Sequence, residues 1–132
     1  IEVSKEAHKV IIGSFLNISA ICNYLKAQNR DVLLLCAGWK GRYNLEDSLF
    51  AGAVVNVLTL NENSYDLSDS AFSANLLFES SKNDLNDFLK DSSHRRRLGK
   101  LNLEKDIEFC LQRDYTDVIP VLENDCLVRL NR

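Results

Sequence analysis

Val32-Leu33-Leu34-Leu35-Cys36-Ala37, then Gly38-Trp39-Lys40-Gly41-Arg42-Tyr43-Asn44, then Leu45-Glu46-Asp47, is the stretch on which the fold is read. Its first six residues form a short, uninterrupted apolar run. Such a run reads as a strand covered on both faces, the usual state of a parallel strand. It ends at a loop with two glycines and two cations, and that loop leads into a helical pattern. The same arrangement occurs upstream. Lys9-Val10-Ile11-Ile12-Gly13 is β-branched and apolar, ends at a glycine, and passes through Ser14-Phe15-Leu16-Asn17 into a helix. In that helix Ile18, Ile21, Cys22 and Leu25 recur at three- and four-residue spacing, which places them on one face. Strand, helix and strand in this order form a right-handed βαβ unit. Both loops then sit at strand carboxyl ends, where an α/β sheet builds its ligand crevice. The expected fold is α/β: three layers, α/β/α, around a mainly parallel sheet, with the two loops side by side at one end.

The remainder reads as mostly helical. Leu45, Leu49, Ala53 and Val57 mark one stripe of a helix over residues 45–60, and Ala51-Gly52-Ala53 gives it a small-residue face. Asn61 to Asp69 is polar and reads as a loop. Helices are expected over 68–80, 84–90 and 103–113, the last capped by Asn102, with a basic turn or short helix at 92–99. Two strands, 118–122 and 126–130, flank the turn Glu123-Asn124-Asp125. Pro120 lacks an amide donor, so its strand should lie at an edge or leave its ladder early. Residues 1–132 read as a single domain.

Composition narrows the function classes. A formal charge of −3 and a pI near 5.4 argue against a nucleic-acid surface, which would be basic. No apolar run approaches the ~20 residues that cross a bilayer, and Ile1 to Lys9 has no signal-peptide core. The expected compartment is the cytoplasm, with neither membrane nor nucleic acid as partner. The four cysteines form no CxxC pair and have two histidines to help them, which disfavours zinc. Cys22, Cys36 and Cys110 sit in apolar patterns and are expected as reduced core thiols. The chain opens on Ile1 and contains no methionine, which leads us to expect a piece of a longer polypeptide.

Several residues carry candidate chemistry, each beside a plainer role. Gly38, Gly41, Lys40 and Arg42 precede a helix N-terminus, where amides, cations and the helix dipole favour an anion; a glycine-rich turn explains them as well. Glu46 and Asp47 offer hard oxygens to Mg²⁺, yet neighbours on a helix point about 100° apart. Asp47 also stands three residues after Asn44, the spacing of a capping-box partner. Asn17 reads equally as a helix cap or a site amide. Ser14 could meet an anion but has no paired histidine. Cys36 would be a nucleophile only with a lowered pKa, and nothing nearby supplies one. His94 with Arg95, Arg96 and Arg97 could grip a dianion or form a solvated turn.

Taken in order, Gly13-Ser14-Phe15-Leu16-Asn17, Cys36-Ala37-Gly38, Gly41, Glu46-Asp47 and Ala51-Gly52 resemble the C-terminal half of the 2-phosphosulfolactate phosphatase family. Ser93-His94, Arg96-Arg97-Leu98, Asp106-Ile107, Phe109-Cys110, Asp114 and Val118-Ile119-Pro120-Val121-Leu122 continue the likeness, which spans about Lys9 to Leu130. The resemblance implies a Mg²⁺-dependent hydrolase of 2-phospho-3-sulfolactate in a coenzyme M–type sulfonate pathway. It implies that Ser14, Asn17, Gly38, Gly41 and Arg96 or Arg97 meet the phosphate and sulfonate of a small anionic substrate. Glu46 would serve the metal and, with Asp47, catalysis. The chain departs from the family at Arg95, where a glycine is common, and lacks counterparts of the N-terminal half. That half includes an Asp-x-x-Arg-Ala-Thr strand end, a Gly-Glu motif and a Thr-Thr-Asn-Gly-Thr loop. We therefore expect these residues alone to be inactive and to expose an apolar sheet edge or face. The expected partner is the missing half, with self-association of the chain, as a homodimer, the other route to covering that surface. The competing expectation is a non-catalytic anion-binding or scaffold domain of the same fold.

Overall fold

Helix α2, Leu45–Thr59, is the element around which the chain packs. Its Ser48, Leu49, Ala51, Gly52, Ala53, Val54, Val55 and Leu58 are buried, nearly all the way round, so it must be covered on more than one side. The computed structural model, which describes Ser4 and residues 6–60 and 65–131, shows how. Helix α1, Ile18–Gln28, supplies Ile18 and Cys22 to one shared core. Helix α3, Asp69–Ser81, supplies Phe78. The α2–α3 contact is backbone on backbone: a Cβ built at Gly52 would stand 2.0 Å from the Ala74 carbonyl oxygen. Short helices α4 (Leu85–Leu89), α5 (Ser93–Gly99) and α6 (Glu104–Cys110) follow. The polar loop expected at 61–69 falls partly outside the described residues. Among those residues no helix is long and apolar enough to cross a membrane.

The chain ends in a hairpin. Strands β1, Pro120–Glu123, and β2, Cys126–Arg129, pair antiparallel from Pro120↔Arg129 to Glu123↔Cys126. Asn124 and Asp125 both have left-handed backbone, φ 49° and 61°, as a two-residue type I′ connection requires. Pro120 stands at the first position of β1, a place where a sheet tolerates proline. On the other side of β1 the Ile12 amide donates to the Pro120 carbonyl and the Leu122 amide to Val10, both at 2.9 Å. Ile11 and Val121 form an antiparallel bridge there.

Mixed α/β character is therefore present, but no parallel βαβ unit is seen among the described residues. Among the described residues the one sheet is two-stranded and antiparallel. Residues 9–13 pair with the chain's final hairpin, and residues 32–37 form no ladder. Leu34 packs against the α1–α2–α3 core while Leu33 is 86% exposed and Leu35 53% exposed. That alternation is a strand's, with no ladder on either edge among the described residues. Cys36 and Cys110 are exposed and not core thiols, the first because this segment lacks neighbours; Cys22 is buried as expected. Burial pushes the Cys22 thiol up to about 11.

Two expected caps also differ. Asn102 is left-handed, φ 55°, and so cannot open a helix; Leu103 takes that position and α6 starts at Glu104. At α1 the side-chain partner is not Asn17 but Asp114, whose two carboxylate oxygens accept from the Ser19 amide and hydroxyl at 2.8 Å each. A carboxylate brought from the far end of the chain thus faces the positive end of α1.

Candidate functional site

The loop before α2 is a tight hairpin. Trp39 and Arg42 exchange two backbone bonds of 3.0 Å, and the central Lys40 and Gly41 have φ 51° and 71°. Two left-handed residues in succession define a type I′ turn, for which glycine at the second position is well suited. Gly38 is left-handed too, φ 66°, and a Cβ there would lie 2.5 Å from the Arg42 carbonyl oxygen. Asp47 fixes this base of the loop: its Oδ2 accepts from the Gly38 amide at 2.7 Å. Asp47 is thus not the reciprocal partner of Asn44, which caps α2 alone by accepting from Glu46 N at 3.1 Å. The Trp39 and Arg42 amides are closed within the hairpin, while those of Lys40 and Gly41 have no acceptor among the described residues.

Helix α5 brings Arg97 to this loop. The Arg97 guanidinium lies over the Trp39 ring, 3.9 Å from its centre, a stacked cation–π contact. Arg97 also donates to Nδ1 of His94. Guanidinium has no acceptor, so the imidazole accepts at Nδ1. Its Nε2 faces Glu46, 3.8 Å from Oε2, with both side chains about one-quarter exposed. Arg97, His94 and Glu46 are therefore joined in one row, tied to the loop where Arg97 stacks on Trp39. Arg96 turns away and donates to the Asp91 carbonyl on its own segment. Nη1 of Arg95 is buried without a hydrogen-bond partner, a donor that calls for an acceptor.

The Ser14–Asn17 turn is organised differently. Asn17 is buried; its Oδ1 accepts from Ser14 N at 2.9 Å, and its Nδ2 donates to Ile12 at 3.3 Å and Val118 at 2.9 Å. The carboxamide ties the turn to both ends of the chain, and its polar atoms are engaged. Ser14 is exposed. The turn reaches α2 through Phe15, whose ring meets Phe50 edge-on with centres 5.4 Å apart. Among the described residues no hydrogen bond or ion pair links this turn to the Gly38–Asn44 loop.

The thiols near the loop are not activated. Partial burial, then the charge of Asp47, raises the Cys36 pKa, with a Ser48 hydrogen bond opposing. Burial, then Glu46 and Asp106, raises that of Cys110. Both shifts oppose thiolate chemistry. No three His, Cys, Asp or Glu side chains gather as a metal site among the described residues. Mg²⁺ asks less of a protein: one or two carboxylates, with phosphate oxygens and water completing its shell. Glu46 fits as one such carboxylate, since among the described residues its carboxylate makes only the long contact to His94; Asp47 is engaged with Gly38.

The family model for 2-phosphosulpholactate phosphatase matches residues 1–125. The chain belongs to this family. It is 45% identical over 122 residues to a probable 2-phosphosulfolactate phosphatase of Thermotoga petrophila, covering 92% of this chain and 52% of that protein. Relatives of the same name occur in Caldanaerobacter subterraneus, 38% identical over 89% of this chain and 48% of the relative, and in Clostridium acetobutylicum, 29% identical over 94% and 52%. The chain spans about half the length of the curated relatives it matches.

Sequence reasoning singled out the loop, both acids and the arginines, but not what joins them. The Asp47–Gly38 clamp, the Trp39–Arg97 stack and the His94–Glu46 contact were missed. Lys40-Gly41 between Trp39 and Arg42 was the one local signal, a dipeptide suited to a two-residue turn. Nothing local marked Asp114 as the cap of α1.

Proposed function

We propose that this chain forms one side of the active site of a Mg²⁺-dependent phosphatase that hydrolyses 2-phospho-3-sulfolactate to 3-sulfolactate and phosphate. Family membership and the names of the relatives support the chemistry. The observation that carries the assignment to residues is the row Arg97–His94–Glu46 tied to the Gly38–Asn44 loop. It links a cation stacked on the loop's Trp39 to a carboxylate in the first turn of α2, next to a loop whose Lys40 and Gly41 amides lack acceptors among the described residues.

Phosphoryl transfer depends mainly on positioning and charge stabilisation. The Lys40 and Gly41 amides would donate to oxygens of one anionic group, with the end of α2 behind them. Arg97, held flat by Trp39, would take the second anionic group in bidentate fashion. Asp47 holds Gly38 so that the loop keeps its shape, and Asn17 does the same for the Ser14 turn. Arg97 and not Arg96 is the anion contact in this reading, because Arg96 bonds its own helix entry. Glu46 would hold Mg²⁺, which when bound supplies charge neutralisation at the phosphate. The three-layer sheet and the other half of the site belong to the longer polypeptide of the relatives' length.

Phosphate release from 2-phospho-3-sulfolactate by such a polypeptide tests this directly. Release should require Mg²⁺, and Glu46→Gln should lower turnover or metal affinity at least ~10-fold. Unchanged kinetics and Mg²⁺ dependence in that variant would remove Glu46 from the mechanism. Anion binding without hydrolysis would favour the scaffold reading instead.

A further inference from the structure

Val32–Ala37 is the part of the molecule whose physical state is least complete. Its six residues are apolar, and the first four alternate in exposure: Val32 and Leu34 are partly buried, Leu34 against the core, while Leu33 and Leu35 are 86% and 53% exposed. None of its backbone amides or carbonyls joins a ladder among the described residues. A run apolar on both faces is the pattern of a strand inside a sheet, bonded along its edges and covered on each side. Unpaired backbone beside exposed leucines is otherwise an invitation to aggregation. We infer that Val32–Ala37 is an interior strand of a sheet whose neighbouring strand and covering layer come from the half of the polypeptide that the relatives carry and this chain does not span.

Two observations select that occupant. The relatives are about twice as long as the matched region, so a second half of comparable size exists to supply strands. Strands β1 and β2 are already paired with each other and, through Val121, with Ile11, leaving no free strand for the position among the described residues. The consequence reaches the site. Ala37 leads directly into Gly38, whose amide is clamped by Asp47. Adding strands along residues 32–37 would therefore fix the loop from its upstream side as α2 fixes it from downstream. This inference concerns assembly and rests on family membership, not on the substrate assigned above.

Hydrogen exchange on this chain alone, and on the chain joined to the complementary half of the Thermotoga petrophila relative in one polypeptide, tests it. The amides of residues 33–37 should exchange fast in the chain alone and at least ~100-fold more slowly in the joined polypeptide, with α2 protected in both. Fast exchange of this segment beside a protected α2 in the joined polypeptide would overturn the inference. Slowing that appears in the chain alone and grows with its concentration would also overturn it, naming a second copy as the occupant. If α2 is unprotected in the joined polypeptide, the aligned segment of the full-length relative gives the same two readings. Because the readout is exchange and not turnover, the inference can fail while the activity assignment stands, and the reverse.

Discussion

Helix α2 and the segment Val32–Ala37 are both apolar runs in the sequence, yet they meet different fates. Leu49, Ala53 and Val54 of α2 are fully buried between α1 and α3, whereas Leu33 and Leu35 stand in solvent. The difference is not in the residues. A helix satisfies its backbone internally and needs only side-chain cover, which α1 and α3 provide. A strand needs partners for its backbone as well, and these must come from elsewhere in space. An apolar run in the sequence thus reports a need for cover, while the structure reports how much of it the described residues meet.

The contrast can be broken most sharply at Gly52. Gly52→Ala places a methyl group against the Ala74 carbonyl and should destabilise the chain by roughly 3 kcal/mol in a denaturant titration, the upper range for overpacking. An unchanged midpoint would mean that α2 and α3 do not meet as described. Asp47→Asn acts where the two regions join. Weakening the 2.7 Å bond to Gly38 should lower stability by about 1 kcal/mol, and amide exchange at Gly38 should quicken. A loss in stability without faster exchange at Gly38 would place the role of Asp47 elsewhere. The smallest effect belongs to Leu33→Ser, which in this chain alone should shift stability by less than about 0.5 kcal/mol, as for an exposed position. A large loss there would show that Leu33 is already covered.

Helices were the legible part of this sequence because their signals are local. The spacing over 45–60 gave α2 to within one residue, and the expected 68–80 and 84–90 match α3 and α4 closely. Strand pairing was not legible, since it depends on a partner distant in sequence. Val10–Ile12 reads as a strand locally, but nothing in those residues says that β1, more than a hundred residues later, is its neighbour. The site follows the same rule. Glycines and charges of the Gly38–Asp47 stretch can be read directly, while the stacking of Arg97 on Trp39 needs α5 to return to the loop. Asn17 shows the limit most clearly: one amide suits a cap, a brace or a ligand contact, and only its bonds to Ile12, Ser14 and Val118 identify the brace.

The central claim is that α5 delivers one particular arginine to the loop before α2. The most direct measurement is kcat/KM for phosphate release from 2-phospho-3-sulfolactate in a polypeptide of the relatives' length, comparing Arg97→Ala with Arg96→Ala. Arg97→Ala should lose roughly 10- to 100-fold, the range of a lost hydrogen bond to a charged group, while Arg96→Ala stays within about 2-fold. Loss in Arg96→Ala with full activity in Arg97→Ala, or no effect of either, would contradict the account.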